Sequence, residues 1–529
     1  MENTLANNAP HALPRKDRAP RTALLLTLAM LCFGFGIAPG LQAATFTVNS
    51  TADEVDATPG NAVCQTASGA CTLRAAIQEA NALLAVPDLI NVPAGTYTLT
   101  IPGRLEDAAA TGDLDITDTV TIIGSNGNAA GNPALTIIQA GTSTATGIDK
   151  VFAVNQLGTT AASATFKALT IRHGRNTNGP SAGTPPTPGT PPAGCDITIT
   201  FAHLGAGIDY FGGLSPTTSS LTIDNCVISD NIVANTCAPG GAAGVNADDG
   251  NLTITNSTIT NNETTNQTGG GISFFGNSRT MMMTNTIVSL NRAKGDITGA
   301  GSGVNGEGGG IFVRQNVNGT VGIHNSQILN NTSESRAGGI KLESQQTLNT
   351  TIDQGTVITG NTSLGTDDGI SEGGGVDISI LVGGTTTLTD VTIENNHANG
   401  QSGNPSDPGT GGGIYNSLGT LNVSLSRITG NTAPTGSGLT RAGGTVTAQN
   451  NWWGCDDFPG AVGCDTVSGT ATVTPRLDLG VTATPSTLTM IGGTSNVKAD
   501  FSKNSANAER SIPWSSTASP STSTLPMGA

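Results

Sequence analysis

Two short markers alternate along this 529-residue chain, and their spacing restricts its fold more than any other feature. One is a glycine-led strand start: Gly205-Ala206-Gly207-Ile208, Gly269-Gly270-Gly271-Ile272, Gly308-Gly309-Gly310-Ile311, Ala337-Gly338-Gly339-Ile340, Gly373-Gly374-Gly375-Val376 and Gly411-Gly412-Gly413-Ile414. The other is a strand closing on asparagine, at Asn231, Asn262, Asn291, Asn331, Asn361, Asn396 and Asn431. Successive asparagines lie 31, 29, 40, 30, 35 and 35 residues apart. Three residues before the central Ile or Val of this second marker stands a turn former in six copies: Asn225, Asn256, Asn285, Asn325, Gly355 and Asp390. Leu425 takes that place in the seventh.

NLTITNSTITNN, from Asn251 to Asn262, reads as strand, tight corner, strand. Leu252, Ile254 and Ile259 point one way, and Thr253, Thr255, Thr258 and Thr260 the other. With the glycine-led strand, each repeat becomes three short strands, one coil of a solenoid. A lone coil cannot bury its apolar side, but coils stacked every ~4.8 Å can. Composition agrees: 72 glycines, 3% aromatics and 11% charged residues suit many short strands and tight turns. The expected fold is all-β, a right-handed parallel β-helix over residues 89–478, with a Pro-rich loop insert at 179–194. The asparagine column is read as a hydrogen-bonded ladder up the stack.

The N-terminus carries an address. Arg15, Lys16, Arg18 and Arg21 precede an apolar run from Ala23 to Ala38 and a small-residue site at Leu41-Gln42-Ala43-Ala44. That order predicts a signal peptide at 1–43 and an exported protein, secreted or held at a bacterial surface, with no transmembrane segment in the mature chain. Export permits disulfides, and the near neighbours Cys64 with Cys71, and Cys455 with Cys464, would staple the two ends of the array. Cys195, Cys226 and Cys237 cannot all pair with one another. A net charge of −16 excludes nucleic acid as a partner.

Ahead of the coils, Cys71-Thr72-Leu73-Arg74-Ala75-Ala76-Ile77-Gln78-Glu79-Ala80-Asn81 places Leu73, Ala76, Ile77 and Ala80 on one helical face. The segment, with TFTVNSTADE, INVPAGTYTLT and GDLDIT around it, resembles the CSLREA motif of exported bacterial β-helix proteins. Thr72 stands for Ser and Ala75 for Glu. The resemblance implies an N-terminal cap over 44–88 and no catalytic residue. The repeat markers more loosely resemble those of chlamydial polymorphic outer-membrane proteins, which are adhesin passengers. Asn450-Asn451-Trp452-Trp453-Gly454-Cys455 reads as a plug over the last coil. Residues 479–512 resemble the opening strands of an Ig-like sandwich, and 513–529 read as a disordered tail.

Ligands of a β-helix lie along an outward sheet face. If the Ile and Val of the glycine-led strands point inward, Asp209, Ser273, Phe312, Lys341, Asp377 and Tyr415 point out, followed by Phe211, Phe275, Arg314, Glu343, Ser379 and Ser417. From this face, Asp209, Phe211, Phe275, Phe312, Arg314, Lys341 and Tyr415 are the expected contacts with a glycan or a cell-surface protein. Glu343 and Asp377 fall on adjacent rungs, ~7–8 Å apart diagonally, within reach of an inverting carboxylate pair. Of the polygalacturonase signatures, Asn246-Ala247-Asp248 matches N-x-D, whereas G-H-G and R-I-K are absent and His173 is the nearest approach. The leading expectation is an adhesin-like scaffold without catalysis; the alternative is a lyase or glycoside hydrolase acting on an acidic polysaccharide. Asp248-Asp249 and Asp367-Asp368 are candidate Ca2+ seats that lack calcium-loop spacing and read more simply as solvated turns. No other cofactor or metal is implied.

Overall fold

The computed structural model describes residues 43–509 apart from 85, 104–105, 157–160, 178–203, 214–218, 235–240, 296–305, 367–368, 401–408 and 488–494. The signal-peptide reading, the Pro-rich insert, Cys195, Cys237, Asp367-Asp368 and the tail lie outside them.

The chain is a right-handed parallel β-helix. Among the described residues it forms four parallel sheets of 12, 11, 10 and 7 strands, in which each strand bonds to the strand one coil earlier and one coil later. The coil starting at Ile208 shows the pattern. Ile208–Phe211 lies in the 11-stranded sheet, Ser220–Asp224 in the 12-stranded sheet, Val227–Ser229 in the 10-stranded sheet and Ile232–Ala234 in the 7-stranded sheet. A coil therefore has four strands where the repeat predicted three. The additional strand follows the ladder asparagine and is only two or three residues long, as in Glu263–Thr265 and Thr332–Ser333. Such pieces are too short and polar to register as strands by periodicity.

Alternation sets the core. In Asn251–Thr255, Leu252 and Ile254 are fully buried and the flanking positions half-exposed. The corners need left-handed backbone. Asn225, Asn256, Asn285, Asn325 and Asp390 have φ between 44° and 59°, Gly355 has φ 77°, and Leu425 adopts φ 52° despite its side chain. The asparagine column is a continuous buried ladder. Each side-chain amide from Asn231 to Asn396 donates to the next asparagine's Oδ1 at 2.9–3.0 Å, and Asn431 donates to Asp465 at 2.7 Å.

Both ends are closed. At the start, the helix Leu73–Ala82 is capped by Thr72, whose Oγ1 accepts from the Ala75 N–H at 3.1 Å, and lays its predicted apolar face on the core. Arg74 is fully buried on that helix. It pairs with Asp53 at 2.6 Å and donates to the carbonyls of Ala109, Gly112 and Asp113. At the far end Trp453 is fully buried in the core, as the plug reading requires. Trp452 sits between the Arg427 guanidinium, 5.5 Å from its ring, and Phe501 at 5.3 Å. The disulfides Cys64–Cys71 and Cys455–Cys464 form as expected, and Cys226 is a buried free thiol. Beyond the coils, Leu477–Thr484 and Asn496–Asn504 form an antiparallel two-stranded ribbon, which begins two residues ahead of the expected boundary.

Candidate ligand-binding face

The outer side of the 11-stranded sheet carries two columns, and they differ in depth. The first holds Asp209, Asn246, Ser273, Phe312, Lys341, Asp377 and Tyr415, each opposite the next across the parallel ladder. These residues were expected at the surface, and the structure corrects this: Asp209, Phe312, Lys341, Asp377 and Tyr415 are between 0% and 9% exposed. The cover is the glycine-led turn itself, which folds back over the strand it precedes. Cβ atoms added at Gly308, Gly373 and Gly411 would stand 2.8–2.9 Å from the Cβ of Phe312, Asp377 and Tyr415. These three glycines also hold φ of 62–66°, so both close approach and backbone demand glycine there.

Charges under that cover are paired. Lys341 Nζ lies 2.8 Å from Asp377, and Lys150 Nζ lies 3.2 Å from Asp209 and 3.8 Å from Asp113. Arg336 bridges Glu307 and Glu372 at 2.8 Å each. Burial pushes the Asp377 carboxyl up, against the pull of Lys341. Burial disfavours the Lys150 ammonium, yet Asp209 and Asp113 hold its pKa above the ordinary lysine value. Asp377 is thus enclosed and bonded to Lys341, while Glu343 stands opposite Ser379 in the outer column. The two carboxylates do not flank a common opening, and an inverting pair cannot be assembled from them.

The second column reaches the surface at every rung but that of Asp248, which is buried at 8% exposure. Phe211, Asp248, Phe275, Arg314, Glu343 and Ser379 occupy one register position on six consecutive rungs. A bulge follows, and Leu418 rather than Ser417 faces Ser379. Phe211, Phe275, Arg314 and Glu343 are half-buried. Phe275 leans on buried Phe312 with ring centroids 5.4 Å apart, and Arg314 lies 5.3 Å from the Phe312 ring while donating to Glu343 at 3.0 Å.

Asp248 is the member that the repeat markers missed. Its strand, Val245–Asp248, follows Gly241-Ala242-Ala243-Gly244 rather than the usual glycine triplet. The 31-residue gap between Asn231 and Asn262 was the signal that a rung had to lie there. The N-x-D match is part of this rung: Asn246 donates to Asp209 at 2.9 Å, and Asp248 sits between the two phenylalanine rungs. Burial, with Asp249 and Asp209 nearby, pushes the Asp248 carboxyl up to about 7. Asp249 turns the chain at φ 50° and ties this coil to the next, its Oδ1 accepting from the Asn277 backbone and side chain at 2.9 Å. Among the described residues no group of three or more His, Cys, Asp or Glu is arranged to hold a metal ion.

No family model matches this chain, and no curated protein matches it. Among solved structures it is similar to a crystal structure of pectate lyase Pel9A, at 13% identity and a TM-score of 0.34, covering 78% of this chain and 80% of that one. Likeness at this level is silent on chemistry.

Proposed function

We propose that this chain is an exported β-helix scaffold, secreted or surface-held, that binds glycan or protein ligands along the outer column of its 11-stranded sheet without turning them over. One observation carries the reading. The deep charges Lys341, Asp377, Lys150 and Asp209 are enclosed and paired, while Phe211, Phe275, Arg314 and Glu343 in the next column stay half-exposed. Export is supported by the order of the N-terminal segment and by disulfides at both ends of the array. The helix Leu73–Ala82, placed as a cap, supports the CSLREA resemblance.

Asp248 favours a second reading, a polysaccharide hydrolase or lyase. A carboxyl that keeps its proton near neutral pH beside half-exposed aromatic rings could act as a general acid. Incubating the purified protein with neutral and acidic polysaccharides, while following both binding and product release, separates the two. Retention of intact polysaccharide supports the scaffold. Product release that disappears in Asp248→Asn supports the enzyme and overturns the scaffold.

A further inference from the structure

The composition of the outer row selects among ligand classes, and the inference here rests on the binding face proposed above. Phe211 and Phe275 stand two rungs apart, about 9.6 Å at ~4.8 Å per rung, with Asp248 between them. The lean of Phe275 on buried Phe312 fixes its ring before any ligand arrives. Spaced, half-exposed rings separated by polar groups suit a chain whose apolar faces recur along the solenoid axis.

The other chemistry narrows that chain further. Within the row the one guanidinium, Arg314, already donates to Glu343 at 3.0 Å. A uronate or phosphate chain would have to displace Glu343 to reach that guanidinium. Peptide addition by strand pairing is unavailable, because the backbone of these rungs already bonds to rungs on both sides. A neutral sugar chain meets every condition. The C–H face of a pyranose can pack on a phenylalanine ring while its hydroxyls bond to the half-buried Arg314 and Glu343.

We infer that the row from Phe211 to Glu343 binds an extended, uncharged, equatorially linked glycan that runs parallel to the solenoid axis, with alternate sugar rings over Phe211 and Phe275. Calorimetric titration of the full protein with cello-oligosaccharides and chito-oligosaccharides of two to six units, and with oligogalacturonates of the same lengths, tests this. Neutral affinity should rise with length and level off once a chain spans both rings. Phe211→Ala and Phe275→Leu should each weaken it about tenfold, the loss of one aromatic contact. Phe275→Leu keeps an apolar side chain against Phe312, so unchanged circular dichroism and Tm would assign the loss to stacking.

Tighter binding of oligogalacturonates, lost in Arg314→Ala, overturns the neutral-chain inference and leaves the face standing. Glycan binding unmoved by either phenylalanine variant overturns both. Absence of binding by every oligosaccharide overturns the inference as well.

Discussion

At the scale of single residues, asparagine does two separate jobs, at the first corner of four coils and in the ladder of all seven. At the first corner it tolerates left-handed backbone; in the ladder it is buried and fully bonded. Asn331 shows what the second job is worth. Its Oδ1 accepts from the backbone and side chain of Asn291, its backbone N–H donates to Asn361 Oδ1, and its side chain donates to the Val288 carbonyl and to Asn361. Asn331→Ala strands buried partners and should cost about 2–4 kcal/mol in urea unfolding, whereas Thr253→Ala on the outer surface should cost less than about 0.5 kcal/mol. Leu290 gives a prediction of the opposite sign. It occupies the corner just before a ladder asparagine at φ 57°, with 58% of its surface exposed, where other coils place Asp, Asn or Gly. Leu290→Asn should therefore raise stability by about 1 kcal/mol. The ladder was legible because one residue type recurs with the period. Its end at Asp465 was not, because that carboxylate comes just after the Cys455–Cys464 loop, outside any repeat.

At the scale of elements, the cap was legible and its anchoring was not. An apolar helical face announces itself by spacing, whereas burial of Arg74 depends on carbonyls of Ala109, Gly112 and Asp113 that lie far along the chain. Arg74→Ala would leave Asp53, whose side chain is 3% exposed, without its cation. Loss of about 3–5 kcal/mol should follow, read as earlier unfolding of the N-terminal coils in hydrogen exchange. The glycine-led strands hold the same lesson for the candidate site. Period-two alternation correctly puts Asp209, Lys341 and Asp377 on the outer side of their sheet. It cannot show that the preceding turn folds back over them, because that cover is a tertiary contact made by residues without side chains. The half-exposed side chains therefore come two residues further along the strands, and the buried Asp248 rung among them was hidden by a departure from the glycine triplet.

At the scale of the whole molecule, buried charge is lopsided among the described residues. Asp56, Glu79, Asp88, Asp113, Asp115, Asp149, Asp209, Asp248, Glu307, Asp377 and Asp465 are buried, against Arg74, Lys150 and Lys341. Burial raises Asp115 to about 8 and Asp248 to about 7, and shifts Asp113 and Asp465 upward as well. The folded chain then holds protons that the unfolded chain releases above its ordinary carboxylate pKa of about 4. Stability should consequently fall as pH climbs from about 4 to about 8, then level off. The raised pKa of Lys150 adds no slope in that window, because its ammonium stays charged in both states. Tm measured at pH 5 should exceed Tm at pH 8, by the equivalent of at least ~1 kcal/mol, and Asp248→Asn should flatten part of the difference. At every scale the proposed ligand contacts fall on one outer row, Phe211, Phe275, Arg314 and Glu343. Hydroxyl-radical footprinting of the full protein, with and without a bound glycan, tests it most directly. Protection centred on Phe211, Phe275 and Arg314 is the predicted result; protection on the Thr-rich face of the 12-stranded sheet, with that row unchanged, would contradict it.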